Sequence, residues 1–154
     1  MAKVVLITGA NKGIGFEVAR QLGRVGFTVL LGARDTSRGE ATASKLREEG
    51  LDVRFGAADL NQAGESATQL AKQIGAEFGS LDVLVNNAAI FEKGDGHASD
   101  VSIETLRSTF ETNFFGTVAF TQPLLPLLRA AASARIVNVS SGLGSIAING
   151  DPNT

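Results

Sequence analysis

Glycines 9, 13 and 15 stand in Thr8-Gly-Ala-Asn-Lys-Gly-Ile-Gly15, directly after the apolar run Val4–Ile7. Beyond them Ile14, Val18, Leu22 and Val25 recur at helical steps. A strand, a glycine-rich turn and a helix in that order can bind the phosphates of a dinucleotide. Gly9 can take the backbone angles of a tight turn, and Gly13 and Gly15 present no side chain where phosphate and strand come close. The unpaired N–H groups of the first helical turn face the pyrophosphate, and the helix dipole favours its charge. Asn11, Lys12 and Ile14 lie within the same turn and join the candidate site. The spacing Gly-x-x-x-Gly-x-Gly also suits a plain turn, so other segments must support the reading.

Those segments come from the rest of the pattern. Residues 27–33 read as a second apolar strand, and Ser37 with Glu40 as a capping box for a helix that Gly50 ends. A third strand over 52–58 closes at Asp59. Ala67, Leu70, Ile74 and Phe78 mark the buried stripe of another helix, with Gly79 at its C-terminal cap. Residues 81–87 are a fourth strand. After a polar loop, Ile103, Leu106, Phe110 and Phe114 share one face of a long helical pattern running towards Ala130, and Pro123 and Pro126 kink or divide it. Residues 134–139 are a fifth strand, and turn signals follow at Gly142, Gly144, Asn149-Gly150 and Asp151-Pro152.

Strands alternating with helices predict an α/β fold, a Rossmann-type doubly wound parallel sheet in three α/β/α layers, with residues 1–154 read as one domain. In strand order 3-2-1-4-5 the fifth strand, Arg135-Ile-Val-Asn-Val139, lies on an edge although its residues suit a strand flanked on both sides. A further strand is therefore expected after it, and the fold reads as truncated there. Ligands of such sheets lie beyond the carboxyl ends of the strands. That rule gathers the glycine turn, Ala33-Arg34, Asp59-Leu60, residues 86–89 and Ser140-Ser141 around one crevice.

Composition narrows the chemistry. The 154 residues carry a formal net charge of −2 with no long basic run, which speaks against nucleic-acid or membrane-surface partners. There is no cysteine, so disulfides and thiolate metal sites are excluded, and the single histidine, His97, removes histidine-cluster metal sites. His97 is expected to be a solvated loop side chain. No targeting segment or membrane span is visible, so a cytoplasmic location is expected. There is no tyrosine.

Thr8-Gly-x-x-x-Gly-x-Gly15, Asp59, Asn86-Asn-Ala88, Asn113 and Val139-Ser-Ser141 resemble the short-chain dehydrogenase/reductase family, in the family's order. Residues 11–15, 33–35, 81–88, 112–116 and 136–141 resemble its NADPH-dependent carbonyl reductases in particular. The resemblance implies hydride transfer between NADPH and a small-molecule carbonyl or alcohol. Gly9, Gly13 and Gly15 would shape the phosphate turn, Asp59 would orient the adenine beside the Leu60 backbone, and Asn86, with Ala88 after it, would tie the central strands and line the cofactor site. Asn113 would hold a water in a proton relay, and Ser141 would hydrogen-bond the substrate carbonyl. Ala89 replaces a usual glycine. The family's catalytic Tyr-x-x-x-Lys is missing from these residues, so the chain on its own is expected to be catalytically incomplete.

The choice of NADP over NAD turns on charge. An acidic residue ending the second strand would hold the ribose hydroxyls of NAD, whereas Ala33 stands there with Arg34 next, and Lys12 and Arg38 near. A cationic Arg34 favours the 2′-phosphate of NADP. Asp35, two residues along, is the competing acidic ligand for NAD. Two other functions remain open from sequence: a nucleotide-binding module without catalysis, and a Rossmann methyltransferase with a sulfonium cofactor, against which Asn86-Asn-Ala88 and Arg34 count.

Overall fold

The computed structural model describes residues 2–93 and 99–144. His97 and the turn signals at 149–152 lie outside them. The chain runs β1 (Val4–Ile7), α1 (Gly13–Arg24), β2 (Thr28–Ala33), α2 (Thr36–Glu48), β3 (Val53–Ala57), α3 (Ala63–Glu77), β4 (Val83–Asn86), then a broken helix and β5 (Arg135–Asn138). The strands form one parallel sheet in the order β3-β2-β1-β4-β5, as the alternation of strands and helices predicts.

Successive strand residues point to opposite faces, and β1 shows the consequence. Val4 and Leu6 enter a core with Leu84, Phe120 and Leu124, under α3 and the broken helix. Val5 and Ile7 enter the opposite core with Val29, Leu31, Ala19 and Leu46, under α1 and α2. All four residues are buried, so the continuous apolar run is what a strand covered on both faces requires. In the α3 stripe Ala67, Leu70 and Ile74 are buried as the spacing predicts, whereas Phe78 caps the helix and is only partly buried. Gly79 ends the helix at φ +76°, where any other residue would be strained.

One local expectation is corrected, and a second, the helix divided at its prolines, holds with one further break. Helix α2 is not capped by Ser37. Asp35 is its N-cap, accepting the Arg38 N–H at 2.9 Å and facing the Arg38 guanidinium at 3.5 Å. An aspartate just ahead of the first turn satisfies one of the orphan N–H groups directly. The long helical pattern is also interrupted. It comprises α4 (Ile103–Phe110), a π turn (Glu111–Gly116), α5 (Thr117–Thr121), a 3₁₀ turn holding Pro123, and α6 (Leu125–Ala130) holding Pro126. The prolines set the later break because neither can donate the backbone hydrogen bond a continuous helix needs. The π turn has no such sequence signal. The face carrying Ile103, Phe110 and Phe114 is exposed.

Among the described residues strand β5 pairs only with β4, and Ile136, Val137 and Val139 are 44%, 46% and 43% exposed. A half-bare apolar edge strand of this kind is what the sequence pattern anticipates.

Candidate functional site

The site is built where β1 ends. Thr8 is buried, and its hydroxyl lies 3.4 Å from the Val85 carbonyl while accepting the N–H groups of Asn87 and Ala88, each at 3.0 Å. Asn87 returns the contact, its amide donating to the Thr8 carbonyl at 2.9 Å and the Gly9 carbonyl at 3.2 Å. The ends of β1 and β4 are thus laced together under the glycine turn. Thr8→Val keeps the shape but leaves two N–H groups without their acceptor. Each such loss costs about 1–3 kcal/mol, or about 2–6 kcal/mol for the pair, so thermal denaturation should show a fall in Tm of roughly 4–24 °C.

The three glycines answer different needs. Gly9 sits at φ +64°, and a Cβ there would lie 2.8 Å from the Ala88 Cα. A Cβ on Gly15 would come within 2.5 Å of the Asn87 amide nitrogen and 2.8 Å of the Gly9 carbonyl oxygen. Gly9 and Gly15 therefore make room for the protein itself. Gly13, at φ +57°, lines the cleft and has nothing beyond its chain neighbours and its own helix backbone within 4 Å of its Cβ position. Its missing side chain leaves space for something else.

That cleft, of about 640 Å³, is lined by Gly9, Asn11, Lys12, Gly13 and Ile14 of the turn, by Arg34, by Asp59 and Leu60, and by Ala88. Every cofactor-site residue expected from the sequence is there except Gly15, which packs beneath the turn, and Asn86. Arg34 is exposed, with no ion pair among the described residues. The Asp59 carboxylate accepts the Asn61 N–H through one oxygen at 3.0 Å. Asp35, by contrast, is occupied as the cap of α2.

A second cleft of about 760 Å³ adjoins the first and shares Asn87, Ala88 and Ala89 with it. It brings Asn113 and Ser141 together with Asn86, Thr117 and Asn138. Asn86 does not reach β1. Its amide donates to Asn138 at 2.9 Å and Thr121 at 3.3 Å, tying β4 to β5 and α5, while Asn87 supplies the link to β1. Asn113 is held on both sides, its amide oxygen accepting the Ile90 N–H at 2.8 Å and its amide nitrogen donating to the Ile90 carbonyl at 2.9 Å. Its main-chain carbonyl accepts the Thr117 hydroxyl at 3.0 Å. Ser141 is exposed at the end of β5.

Sequence reasoning missed Thr8 as a side chain, Asn87, Thr112 and Ile90. A threonine ending an apolar strand and a doubled asparagine were the available signals for the first two. Nothing local signals the others, because their partners are far away in the chain.

Among the described residues no helix is long and apolar enough to cross a membrane. The family model for short chain dehydrogenases matches residues 3–152. The chain is 43% identical over 153 residues to the short-chain dehydrogenase anuI of Penicillium roqueforti, covering 97% of this chain and 60% of that protein. It is 44% identical over 140 residues to carbonyl reductase (NADPH) 1 of Mus musculus, covering 90% of this chain and 48% of that protein. Among solved structures it superposes on a short chain dehydrogenase of Escherichia coli CFT073 complexed with NADPH, at TM-score 0.85 and 31% identity, covering 92% of this chain and 60% of that one. Menthone neomenthol reductase of Mentha piperita matches at TM-score 0.84 and 33% identity, covering 96% and 63%. The chain therefore spans about half to three fifths of the length of these relatives.

Proposed function

The chain belongs to the short-chain dehydrogenase/reductase family, and from that premise we propose that residues 1–154 form the NADP(H)-binding domain of a carbonyl reductase. The observation that carries this reading is the glycine turn. Gly13 lines a cleft and has nothing beyond its chain neighbours and own helix backbone within 4 Å of its Cβ position, while Gly9 and Gly15 are packed against other parts of the protein. Space reserved in that way beside the first N–H groups of α1 suits a pyrophosphate.

The other lining groups fit the rest of the cofactor. Arg34 and Lys12 give the cleft the positive charge a 2′-phosphate needs, and Asp35 is engaged in capping rather than offered to a ribose. One Asp59 carboxylate oxygen has no hydrogen-bond partner among the described residues and can accept from an adenine amino group. NADPH, when bound, supplies the hydride for a carbonyl carbon. In this reading the Ser141 hydroxyl, at the wall of the adjoining cleft, donates to the carbonyl oxygen of a small-molecule aldehyde or ketone. Asn113 fixes the Ala88–Ile90 wall through its amide. A relay water would be held by its main-chain carbonyl, which has a second lone pair beyond the one Thr117 uses.

A charge-assisted hydrogen bond to phosphate contributes on the order of 1.5–3 kcal/mol, or roughly a ten- to hundredfold preference. Arg34→Ala should weaken NADPH binding by that factor in a fluorescence titration and leave NADH nearly unchanged. Equal losses for both cofactors would remove Arg34 from the phosphate site.

A second reading, a nucleotide-binding module without catalysis, is favoured by the absence of tyrosine from these residues. NADPH binding does not separate it from the first. Turnover does.

A further inference from the structure

The π turn Glu111–Gly116 touches both walls of the first cleft, and only one of those contacts involves Asn113. On the other wall, a Cβ added to Gly116 would lie 2.7 Å from the Leu60 carbonyl oxygen and 3.3 Å from the Leu60 Cβ. Gly116 is buried there, so the Leu60 main chain rests directly on the turn. Four residues earlier, Thr112 donates its hydroxyl to the Asn61 amide oxygen at 3.2 Å. Asn61 is in turn bound to Asp59 through its N–H. Thr112, Asn61, Leu60 and Asp59 all line the same cleft.

We propose that Gly116 and Thr112 are positioning residues for adenine recognition, seating the Asp59–Leu60 segment at the depth at which it reads the base. The inference rests on the NADP(H) reading above and adds residues that touch no cofactor. The physical argument is one of close approach. A helix carrying any side chain at position 116 pushes the Leu60 carbonyl outward, because that contact is to backbone and cannot be relieved by a rotamer. A π turn suits the task because its extra residue rotates the chain between neighbouring positions. Thr112 can then face Asn61 while Asn113 faces Ile90.

The test separates base recognition from general stability. Binding of NADPH is compared with that of its hypoxanthine analogue, which replaces the adenine amino group by a carbonyl and removes the donor that Asp59 would accept. The parent chain should prefer NADPH by about tenfold. Gly116→Ala should bring that preference close to unity by weakening NADPH while the analogue changes little. Thr112→Val should reduce it to about threefold, since one ordinary hydrogen bond is at stake. Thr112→Ser, which keeps the hydroxyl, should restore it, and the unliganded Tm of the Thr112 variants should stay within about 2 °C of the parent.

An unchanged preference in Gly116→Ala and Thr112→Val overturns the proposal. So does a parallel loss for both nucleotides, which would mark a merely structural role. If Gly116→Ala does not fold, the two Thr112 variants decide by themselves. A parent chain that binds both nucleotides equally also overturns it, leaving the cofactor reading intact. One that binds neither overturns the cofactor reading and the proposal with it.

Discussion

Gly13→Val will fold and will bind NADPH at least a hundredfold more weakly than the parent chain. Both halves of that expectation come from the same position. Gly13 sits at φ +57°, where a residue with a Cβ costs about 1–2 kcal/mol, and a branched one falls at the upper end. That strain lowers Tm by roughly 2–8 °C in a domain of this size, which leaves the fold in place. Apart from its chain neighbours and its own helix backbone, nothing lies within 4 Å of the Cβ position, so the isopropyl group displaces no other part of the protein and instead fills the cleft proposed for the phosphates. A hundredfold loss corresponds to about 2.7 kcal/mol, a modest demand for a steric overlap with a charged group. Gly9→Val and Gly15→Val make the useful contrast. Their side chains meet backbone at 2.8 Å, so they should lose stability as well as binding. Calorimetry in which Gly13→Val binds with the parent's affinity would place the cofactor elsewhere.

The strands were legible because burial on both faces leaves a coarse signature in sequence. Val4–Ile7 is apolar throughout and the run over 28–33 is nearly so, and their shortness, β-branched residues and flanking glycines favour buried strands over helix. The strand-end rule then collected Gly9, Arg34, Asp59 and Ala88 at one cleft without any knowledge of distance. What failed was anything decided by geometry between distant residues. Asp35 won the cap of α2 over Ser37 because the chain leaves β2 in an extended conformation that places its carboxylate over the first turn. Asn86 and Asn87 are adjacent and alternate across the strand, so one faces β5 and the other the glycine turn. Which is which depends on register, not on type. The π turn is set by the contacts of Leu60, Asn61 and Ile90, which lie 23–56 positions away from it in sequence. The exposed face of Ile103, Phe110 and Phe114 has helical spacing yet is not core, since periodicity records that a face is apolar and not what covers it.

The 154-residue chain, purified alone, will reduce carbonyl substrates about 10²–10⁴-fold more slowly than a carbonyl reductase that keeps the family's acid–base pair. Hydride delivery leaves negative charge on the carbonyl oxygen, which requires a proton from a group within hydrogen-bond reach. The resemblance assigns that proton to a tyrosine assisted by a lysine, and these residues contain no tyrosine. The candidates that remain are poor donors. The Asn113 amide, which already donates to the Ile90 carbonyl, is not an acid that gives up a proton. The described lining of the cleft at Ser141 includes no lysine or histidine that could ease the loss of a hydroxyl proton. Among the described residues the seat is open, with Ile136 and Val139 over two fifths exposed to water. Water there weakens each electrostatic contact that would stabilise the developing oxyanion. The measurement is NADPH absorbance with several aldehydes and ketones, run beside the mouse carbonyl reductase to which the chain is 44% identical. Titration of NADPH first establishes that the cofactor site is loaded, so that a slow rate reports on chemistry rather than on binding. Turnover within tenfold of the reference enzyme would overturn the expectation and require a proton donor among Ser140, Ser141 and Thr117, each of which single alanine variants would then expose.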